Sequence, residues 1–411
     1  MSTSATTASA RGDIEVISLI GFAHGTSHFF HLMLPPLFPW LMSEFSLGFT
    51  QVGTLMTAFF IVSGVGQALA GFVVDRLGAQ RVLWAGISLF AVAGVVLGLS
   101  HGYGMLLAAA VLAGLGNCVF HPADFTVLNR HVSPPRLGHA FSMHGLSGNL
   151  GWAAAPVFMT GIAAAAGWRV AAFAAASVAL ASLALLATRR AAIADLDAAH
   201  AGRKAEGAAP AVSPFAFLGV GAVWMCFFFF LLVTLAFGAL QNFAPSVLQH
   251  VYGLSLAAAA TALTFWLLGG AAGIVLGGFL ASRNEAHEKL IAAVLFGAAL
   301  MALGLASGAI APWSVAPFMA CIGFCTGMAG PSRDLLVRRA ATARFGQQSF
   351  GRVYGFVYSG LDVGLAVSPL IFGRLMDASM FGAVLVGVAL LQGLAVLAAL
   401  RVGRGAAAAG R

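Results

Sequence analysis

Charged residues are scarce in this sequence of 411 residues. Asp, Glu, Lys and Arg together make up 8% of the chain, whereas hydrophobic residues make up 60%. A water-soluble protein of this length needs more polar surface than such a composition supplies. The composition therefore argues against a soluble globular protein and predicts a chain surrounded by lipid.

The sequence also lacks the motifs of common soluble enzymes. It has no phosphate-binding P-loop, no HExxH zinc motif and no nucleophile elbow. Segments of alternating polar and apolar residues, which are typical of outer-membrane β-barrels, are absent as well. We therefore predict no enzymatic activity, no cofactor and no resident metal ion, and we expect an ion or solute gradient to supply the energy.

Cysteine is rare, and all four cysteines fall inside long apolar runs, at Cys118, Cys226, Cys321 and Cys325. Such residues are typically buried, reduced thiols. Cys321 and Cys325 are one helical turn apart, so a soft metal ion is the alternative for that pair.

Long apolar runs dominate the sequence. A bilayer core about 30 Å thick is crossed by about 20 helical residues, and lipid tolerates no unpaired backbone. The runs predict twelve transmembrane helices, at residues 16–41, 50–74, 82–100, 103–128, 137–164, 168–188, 215–247, 255–281, 289–308, 312–337, 353–376 and 379–401.

The net charge of +8 comes from basic residues whose placement in the loops indicates membrane topology rather than nucleic-acid binding. If both termini are cytoplasmic, nearly all Lys and Arg residues of the loops fall on the cytoplasmic side, and Arg169 and Arg374 fall outside. This asymmetry follows the positive-inside rule and requires an even number of helices.

The chain repeats itself. Residues 44–76 align without gaps with residues 251–283, and the aligned pairs include Gly66 with Gly273. A second alignment pairs Gly151 with Gly364. We predict an all-α membrane protein of two six-helix bundles, at 16–188 and 214–401, with a cytoplasmic tail at 1–15, a linker at 189–213 and a second tail at 402–411. Such repeats are typical of secondary transporters.

The loop GFVVDRLGAQR at residues 71–81 resembles the signature of the major facilitator superfamily, G-x-x-x-D-R-x-G-x-[RK]-[RK], from which Gln80 departs. The segments SEFSLGFTQVG at 43–53, FHP at 120–122 and RLGHAFSMHGLSGNLG at 136–151 are similar to the fosmidomycin-resistance branch of bacterial efflux permeases. The resemblance implies the major facilitator fold, alternating access and a monomer in the bacterial inner membrane.

The same resemblance implies that the signature loop gates the carrier, with headgroup anchoring as the alternative. Asp75 would accept hydrogen bonds at the start of the eleventh helix, where the helix dipole favours a negative charge. The predicted gating residues are Asp75, Arg76, Gly78, Arg81, Asp124, Asp334 and Arg352. For Asp124 and Asp334, ion pairs with neighbouring arginines are the structural alternative.

Polar residues inside the spans are the candidates for the substrate or proton pathway, because such residues are costly in lipid. His24, His28 and His31 recur on one face of the first helix. They predict a cavity lining for substrate or protons, with transition-metal binding, aided by Met143, or structural burial as alternatives. His121 and His144 are weaker candidates for the same cavity.

The second half supplies the remaining candidates. Asp362 is a lone carboxylate in the eleventh helix, where Asn149 is its repeat equivalent, and it suits either proton coupling or a helix contact. Arg333 suits an anionic substrate group. Gln241 and Asn242 precede Pro245 near one end of the seventh helix.

We therefore predict a proton-coupled carrier of a small organic solute in the lipid bilayer, with efflux favoured slightly and no nucleic-acid partner. Organic-anion uptake, transition-metal import through the helix-one histidines and a non-transporting membrane sensor are the alternatives.

Overall fold

The computed structural model describes residues 2–133, 136–194, 219, 221–283, 286–345 and 350–409. Regular secondary structure in these residues is helical throughout. The α-helices are α1 Ser2–His31, α2 Phe38–Phe45, α3 Phe49–Leu77, α4 Ala79–Gly98, α5 Tyr103–Asn117, α6 Phe120–His131, α7 Leu137–Ala166, α8 Trp168–Thr188, α9 Gly221–Tyr252, α10 Leu256–Arg283, α11 His287–Ala306, α12 Val315–Phe345, α13 Phe350–Asp377 and α14 Phe381–Ala409.

Eleven helical segments in the described residues are long and apolar enough to cross a membrane. Helix α1 is not among them, because its three histidines lower its hydropathy. The prediction of a multi-pass, all-helical membrane protein is confirmed. Most of the linker predicted at 189–213 lies outside the described residues, as do the side chains of Asp75, Asp334 and Arg352.

Two predicted spans are interrupted by prolines. The span predicted at 16–41 divides at His31 into α1, a 3-10 turn at Pro35–Leu37 and α2. The span predicted at 103–128 divides into α5 and α6, with Pro122 in the first turn of α6. Proline has no N–H to donate to the preceding turn, and its ring crowds the carbonyl four residues earlier. Each span therefore contains a break in its helix that was not predicted, although Tyr103–His131 is still long and apolar enough to cross a membrane as one segment.

The chain forms two compact units, residues 1–46 with 58–205, and residues 47–57 with 206–411. In the first unit, α1 packs against α7, and α4 packs against α5 and α8. In the second unit, α9 packs against α13, and α11 packs against α12 and α14. The same pairing order in both units matches the internal repeat seen in the sequence.

Helix α3 contributes its first residues to the second unit. The backbone amides of Phe49 and Thr50 donate hydrogen bonds of 2.5 and 2.9 Å to the carboxylate of Asp377. Thr57 Oγ1 donates to the carbonyl oxygen of Ala366 at 2.7 Å. Sequence order alone does not predict this grouping.

Glycines allow close helix crossings in both units. A Cβ atom at Gly151 of α7 would lie 2.0 Å from the carbonyl oxygen of Gly25 in α1. Its repeat equivalent, Gly364 of α13, would place a Cβ 2.1 Å from Thr234 Oγ1 in α9. Helix backbones can approach this closely only where no side chain intervenes. The aligned glycines therefore mark equivalent helix contacts.

A polar cluster ties α2 to the start of α8. Arg169 donates to Glu44 Oε1 at 2.6 Å and to the carbonyl oxygen of Ser100 at 3.0 Å. Trp168 Nε1 donates to Glu44 Oε2 at 2.6 Å. The hydrogen bonds from Arg169 and Trp168 hold the pKa of Glu44 below its usual 4.5. The ionised form of Glu44 is therefore the one that stabilises this contact.

We expect Glu44→Gln to lower the thermal unfolding temperature at neutral pH and to lose that effect in acid. A carboxylate whose pKa is depressed by folding stabilises the protein above its unfolded pKa, and the contribution disappears as the pH falls through the folded pKa. Unfolding of wild type and variant, followed by tryptophan fluorescence from pH 7 to pH 3, measures the difference. A difference that persists unchanged at pH 3 contradicts this interpretation.

Candidate functional site

The three histidines of α1 lie on one face, as their spacing predicts, and they point into the first unit. His24, His28 and His31 are 2%, 9% and 7% exposed. The ring centroids of His24 and His28 are 4.4 Å apart, and those of His28 and His31 are 4.9 Å apart. The rings therefore form a continuous buried row along α1.

The row meets Asp124 of α6 and His144 of α7. Asp124 is fully buried, and its Oδ2 atom lies 3.3 Å from His24 Nδ1 and 3.0 Å from His144 Nε2. The rings of His24 and His144 stack with centroids 3.5 Å apart. Asp124 is thus paired with histidines rather than with the arginines considered from the sequence, because its position in α6 faces α1 and α7.

His121 of α6 completes the group. Its ring centroid lies 5.3 Å from that of His24 and 5.9 Å from that of His144. Its Nδ1 atom lies 2.8 Å from Gln67 Oε1 of α3. We call His24, His28, His31, His121, His144 and Asp124 the histidine–aspartate cluster.

Further polar side chains support one end of the cluster. Asn117 Oδ1 lies 2.8 Å from His31 Nε2 and accepts a 2.6 Å hydrogen bond from Ser27 Oγ. Asn117 Nδ2 donates to Ser63 Oγ at 2.7 Å. Asn117, Ser63 and Gln67 were not predicted from the sequence, although each is a polar residue inside an apolar run, which was the available signal.

Several buried polar atoms of the cluster have no hydrogen-bond partner among the described residues. They are His28 Nδ1, His31 Nδ1 and Asp124 Oδ1. A buried polar atom without a partner costs about 1 to 3 kcal/mol. The cluster is therefore able to bind a proton, a cation or a polar group of a ligand.

Small and aromatic residues of α7 define the space around the cluster. A Cβ atom at Gly148 would lie 2.7 Å from the ring of His28, so glycine makes room for that ring. Trp152 packs against His28 with ring centroids 4.1 Å apart. Met143 is 47% exposed and lines a separate apolar cavity of about 400 Å³ between α1, α7 and α8. The metal-binding alternative had placed Met143 beside the histidine nitrogens, but its side chain lies in this separate cavity instead.

Asp362 and Asn149 occupy positions in α13 and α7 outside the cluster. Asp362 is partly buried in the apolar segment Ser359–Asp377 and makes no hydrogen bond or ion pair with the described residues. Asn149 Nδ2 donates to the carbonyl oxygen of Gly145 at 3.0 Å within its own helix. Asp362 is thus a carboxylate without a partner in the part of the chain that the structure describes.

The other candidates of the second unit are buried or packed on aromatic rings. Gln241 and Asn242 are 1% and 2% exposed. Asn242 Nδ2 donates to the carbonyl oxygen of Gly238 at 2.7 Å, whereas neither amide atom of Gln241 has a partner in the described part of the chain. The guanidinium carbon of Arg333 lies 4.6 Å from the ring centroid of Phe230.

The signature loop is a sharp break between α3 and α4. Gly78 lies between Leu77, the last residue of α3, and Ala79, the first residue of α4. Its φ is 88°, in the left-handed region that favours glycine. Arg76 and Arg81 are exposed. Gln80, the departure from the signature, donates through Nε2 to the carbonyl oxygen of Arg190 at 2.6 Å. Two of the predicted gating arginines are thus at the surface.

Comparison with known proteins agrees with the fold. The model of the Major Facilitator Superfamily matches residues 18–369. The Fosmidomycin resistance protein of Escherichia coli is 27% identical, over 89% of this chain and 88% of its own length. The Membrane sensor protein UhpC of Escherichia coli is 23% identical, over 87% of this chain and 85% of its own length.

A solved structure shows the same fold. The inward-facing, occupied form of a bacterial homologue of the human lysosomal transporter Spinster superposes with a TM-score of 0.72 at 14% identity, covering 97% of this chain and 96% of that one. The resemblances drawn from the sequence are confirmed. The chain belongs to the major facilitator superfamily and has the fold of a membrane transporter, not of an enzyme.

Proposed function

We propose that this chain is a proton-coupled carrier that exports a small organic solute across the bacterial inner membrane. Asp362 carries the proposal. An ionised carboxylate near the centre of a bilayer costs about 3 kcal/mol on insertion scales. Asp362 has no partner among the described residues that would offset this cost. A costly charge of this kind inside the membrane indicates a residue whose ionisation has a function.

Protonation gives Asp362 two states that differ in their cost within the membrane. The neutral acid is tolerated in an apolar surrounding, whereas the carboxylate favours a hydrated one. A carrier whose conformations differ in the hydration of Asp362 therefore takes up a proton on one side and releases it on the other. This linkage supports coupling of solute movement to the proton gradient.

Buried amides and a guanidinium in the second unit support an organic solute with polar groups. Gln241 offers a carbonyl and an amide without partners among the described residues. Arg333 offers a planar guanidinium, which suits carboxylate or phosphonate groups. The name of the Fosmidomycin resistance protein supports export of such a compound, whereas Arg333 alone would serve organic-anion uptake equally well.

The charge distribution supports the proposed orientation. The loop arginines favour cytoplasmic termini by the positive-inside rule. We propose a monomer, as the superfamily resemblance implies, that works by alternating access with the solute and protons as its partners.

Transport into inverted membrane vesicles tests the proposal. Vesicles from cells that express the chain are energised by respiration, and a fluorescent dye reports the pH difference. Fosmidomycin and a panel of small phosphonates and carboxylates serve as probes. We expect at least one probe to accumulate in the vesicles and to dissipate part of the pH gradient, with no such effect in vesicles that lack the chain.

Each other outcome overturns a named part of the proposal. Accumulation that survives a protonophore refutes proton coupling. Accumulation in right-side-out vesicles alone refutes export and favours uptake. Binding of a probe to the purified chain without flux in either vesicle type refutes transport and favours a sensor.

A further inference from the structure

We propose that His24, Asp124 and His144 bind a divalent transition-metal ion of the Zn²⁺ class. This inference goes beyond transport of an organic solute, and it does not depend on coupling through Asp362.

The three ligand atoms have the spacing that a small metal ion requires. Asp124 Oδ2 lies 3.3 Å from His24 Nδ1 and 3.0 Å from His144 Nε2. All three ligand atoms lie within 4.8 Å of one another. Tetrahedral zinc with bonds of about 2.0 to 2.2 Å places its ligands about 3.3 Å apart. The distances between the ligand atoms are therefore close to those of a zinc site, and binding requires the stacked rings of His24 and His144 to rotate so that both nitrogens point at the ion.

The donor types select a class of metal. Two imidazole nitrogens and one carboxylate oxygen suit Zn²⁺, Ni²⁺, Cu²⁺ and Fe²⁺, whereas Mg²⁺ and Ca²⁺ favour oxygen ligands throughout. The carboxylate of Asp124 offsets part of the charge of the ion, which matters because all three residues are buried.

A second group shares one ligand with the first. Ligand atoms of His24, His28 and His121 also lie within 4.8 Å of one another. His28 or His121 can therefore supply the fourth ligand of a tetrahedral site. Gln67 lies at the Nδ1 atom of His121 and fixes the orientation of that ring, as partners of metal-binding histidines commonly do.

The unpaired atoms favour a ligand over a purely structural hydrogen-bond network. Asp124 Oδ1 and His28 Nδ1 are buried without a hydrogen-bond partner among the described residues, although buried polar groups are nearly always paired in proteins. A network evolved only for packing would satisfy these atoms. A bound cation gives the carboxylate and the imidazoles the partner that they lack.

Metal binding to the full-length chain, purified with a tag that contains no histidine, tests the proposal. Co²⁺ serves as the spectroscopic probe, because tetrahedral Co²⁺ absorbs strongly at visible wavelengths. Zn²⁺ titration calorimetry gives the stoichiometry. We expect one ion per chain and a tetrahedral Co²⁺ spectrum that Zn²⁺ abolishes.

The variants separate the site from adventitious binding. We expect Asp124→Asn and His144→Gln each to weaken binding by about 100-fold, since even the outer partners of metal ligands contribute about 10- to 100-fold. His101→Gln changes an exposed histidine and should leave binding unchanged. Size-exclusion profiles and unfolding temperatures establish that each variant is folded. The proposal is wrong if wild type shows no tetrahedral spectrum, or if folded Asp124→Asn binds as tightly as wild type.

Discussion

Asp362→Asn is expected to abolish solute-driven proton movement in proteoliposomes that contain the purified chain and a trapped pH dye. The amide keeps the shape of the carboxyl group but binds no proton at any accessible pH. The solute-driven proton flux should therefore fall to the level measured in liposomes without protein. A carrier that depends on one carboxylate loses its coupling completely rather than by a modest factor, because no neighbouring group among the described residues shares the charge.

Two further variants make the result specific. Asp362→Glu retains a titratable carboxyl group and should retain part of the coupled flux. Glu15→Gln removes a carboxylate that forms an exposed ion pair with Arg189. Because exposed pairs contribute little to stability, this variant should behave as wild type.

The uncoupled reaction distinguishes lost coupling from lost folding. Asp362→Asn resembles the protonated carboxyl group, so the solute should still equilibrate down its own concentration gradient. Coupled proton flux of wild-type size in Asp362→Asn would remove Asp362 from the mechanism. A variant that neither couples nor equilibrates the solute would make Asp362 a folding or substrate residue and would refute the coupling role.

Gly273→Ala is expected to destabilise the second unit by about 3 kcal/mol, the upper end of the cost of overpacking. Helices α10 and α12 cross with their backbones in contact. A Cβ atom at Gly273 would lie 2.1 Å from the carbonyl oxygen of Phe324 and 2.9 Å from the amide nitrogen of Met328. Backbone atoms cannot move aside as a flexible side chain can, so the helices must separate.

The crossing is a repeated motif, which is why a single methyl group has a large effect. Glycines at four-residue spacing line both sides of the crossing. Gly269, Gly273 and Gly277 of α10 meet the backbone of Ala320, Phe324 and Met328 in α12, and Gly323 and Gly327 of α12 meet the backbone of Trp266 and Gly270 in α10. In lipid, such close packing replaces the hydrophobic effect as the force between helices.

Gly278→Ala is the matched control in the same helix. A Cβ atom there meets nothing within 4 Å. Alanine should then stabilise α10 by about 0.5 to 1 kcal/mol, because glycine loses more conformational freedom on folding. Thermal unfolding in detergent should thus move in opposite directions for the two variants. Equal shifts would contradict the close crossing.

Much of the fold could be predicted because its signals are local. Apolar run length, charge asymmetry and the repeated glycines are properties of the linear sequence. The breaks in the helices after His31 and at Cys118 were not predicted, because the prolines that cause them, Pro35 and Pro122, stand inside otherwise apolar runs. The histidine row was found for the same reason, since helical periodicity alone places His24, His28 and His31 on one face.

The partners of that row could not be predicted in the same way. Asp124 was interpreted as a gating residue with arginine partners, but α6 directs it toward His24 and His144. Asn117 and Ser63 are far apart in sequence and meet only through the packing of α5 against α3. Such contacts depend on helix rotation and crossing geometry, which periodicity does not specify.

The sequence by itself determined that this chain spans a membrane, that its two halves repeat and that it belongs with the major facilitators. These properties follow from hydropathy, charge placement and sequence motifs, each of which can be recognised within a single segment of the chain. Only the tertiary structure decided that five histidines and one aspartate form a single, largely buried cluster. The structure alone also decided that Asp362 stands apart without a partner among the described residues. The physical reason is that burial and ligand spacing arise between helices, where residues distant along the chain come within a few ångströms of one another.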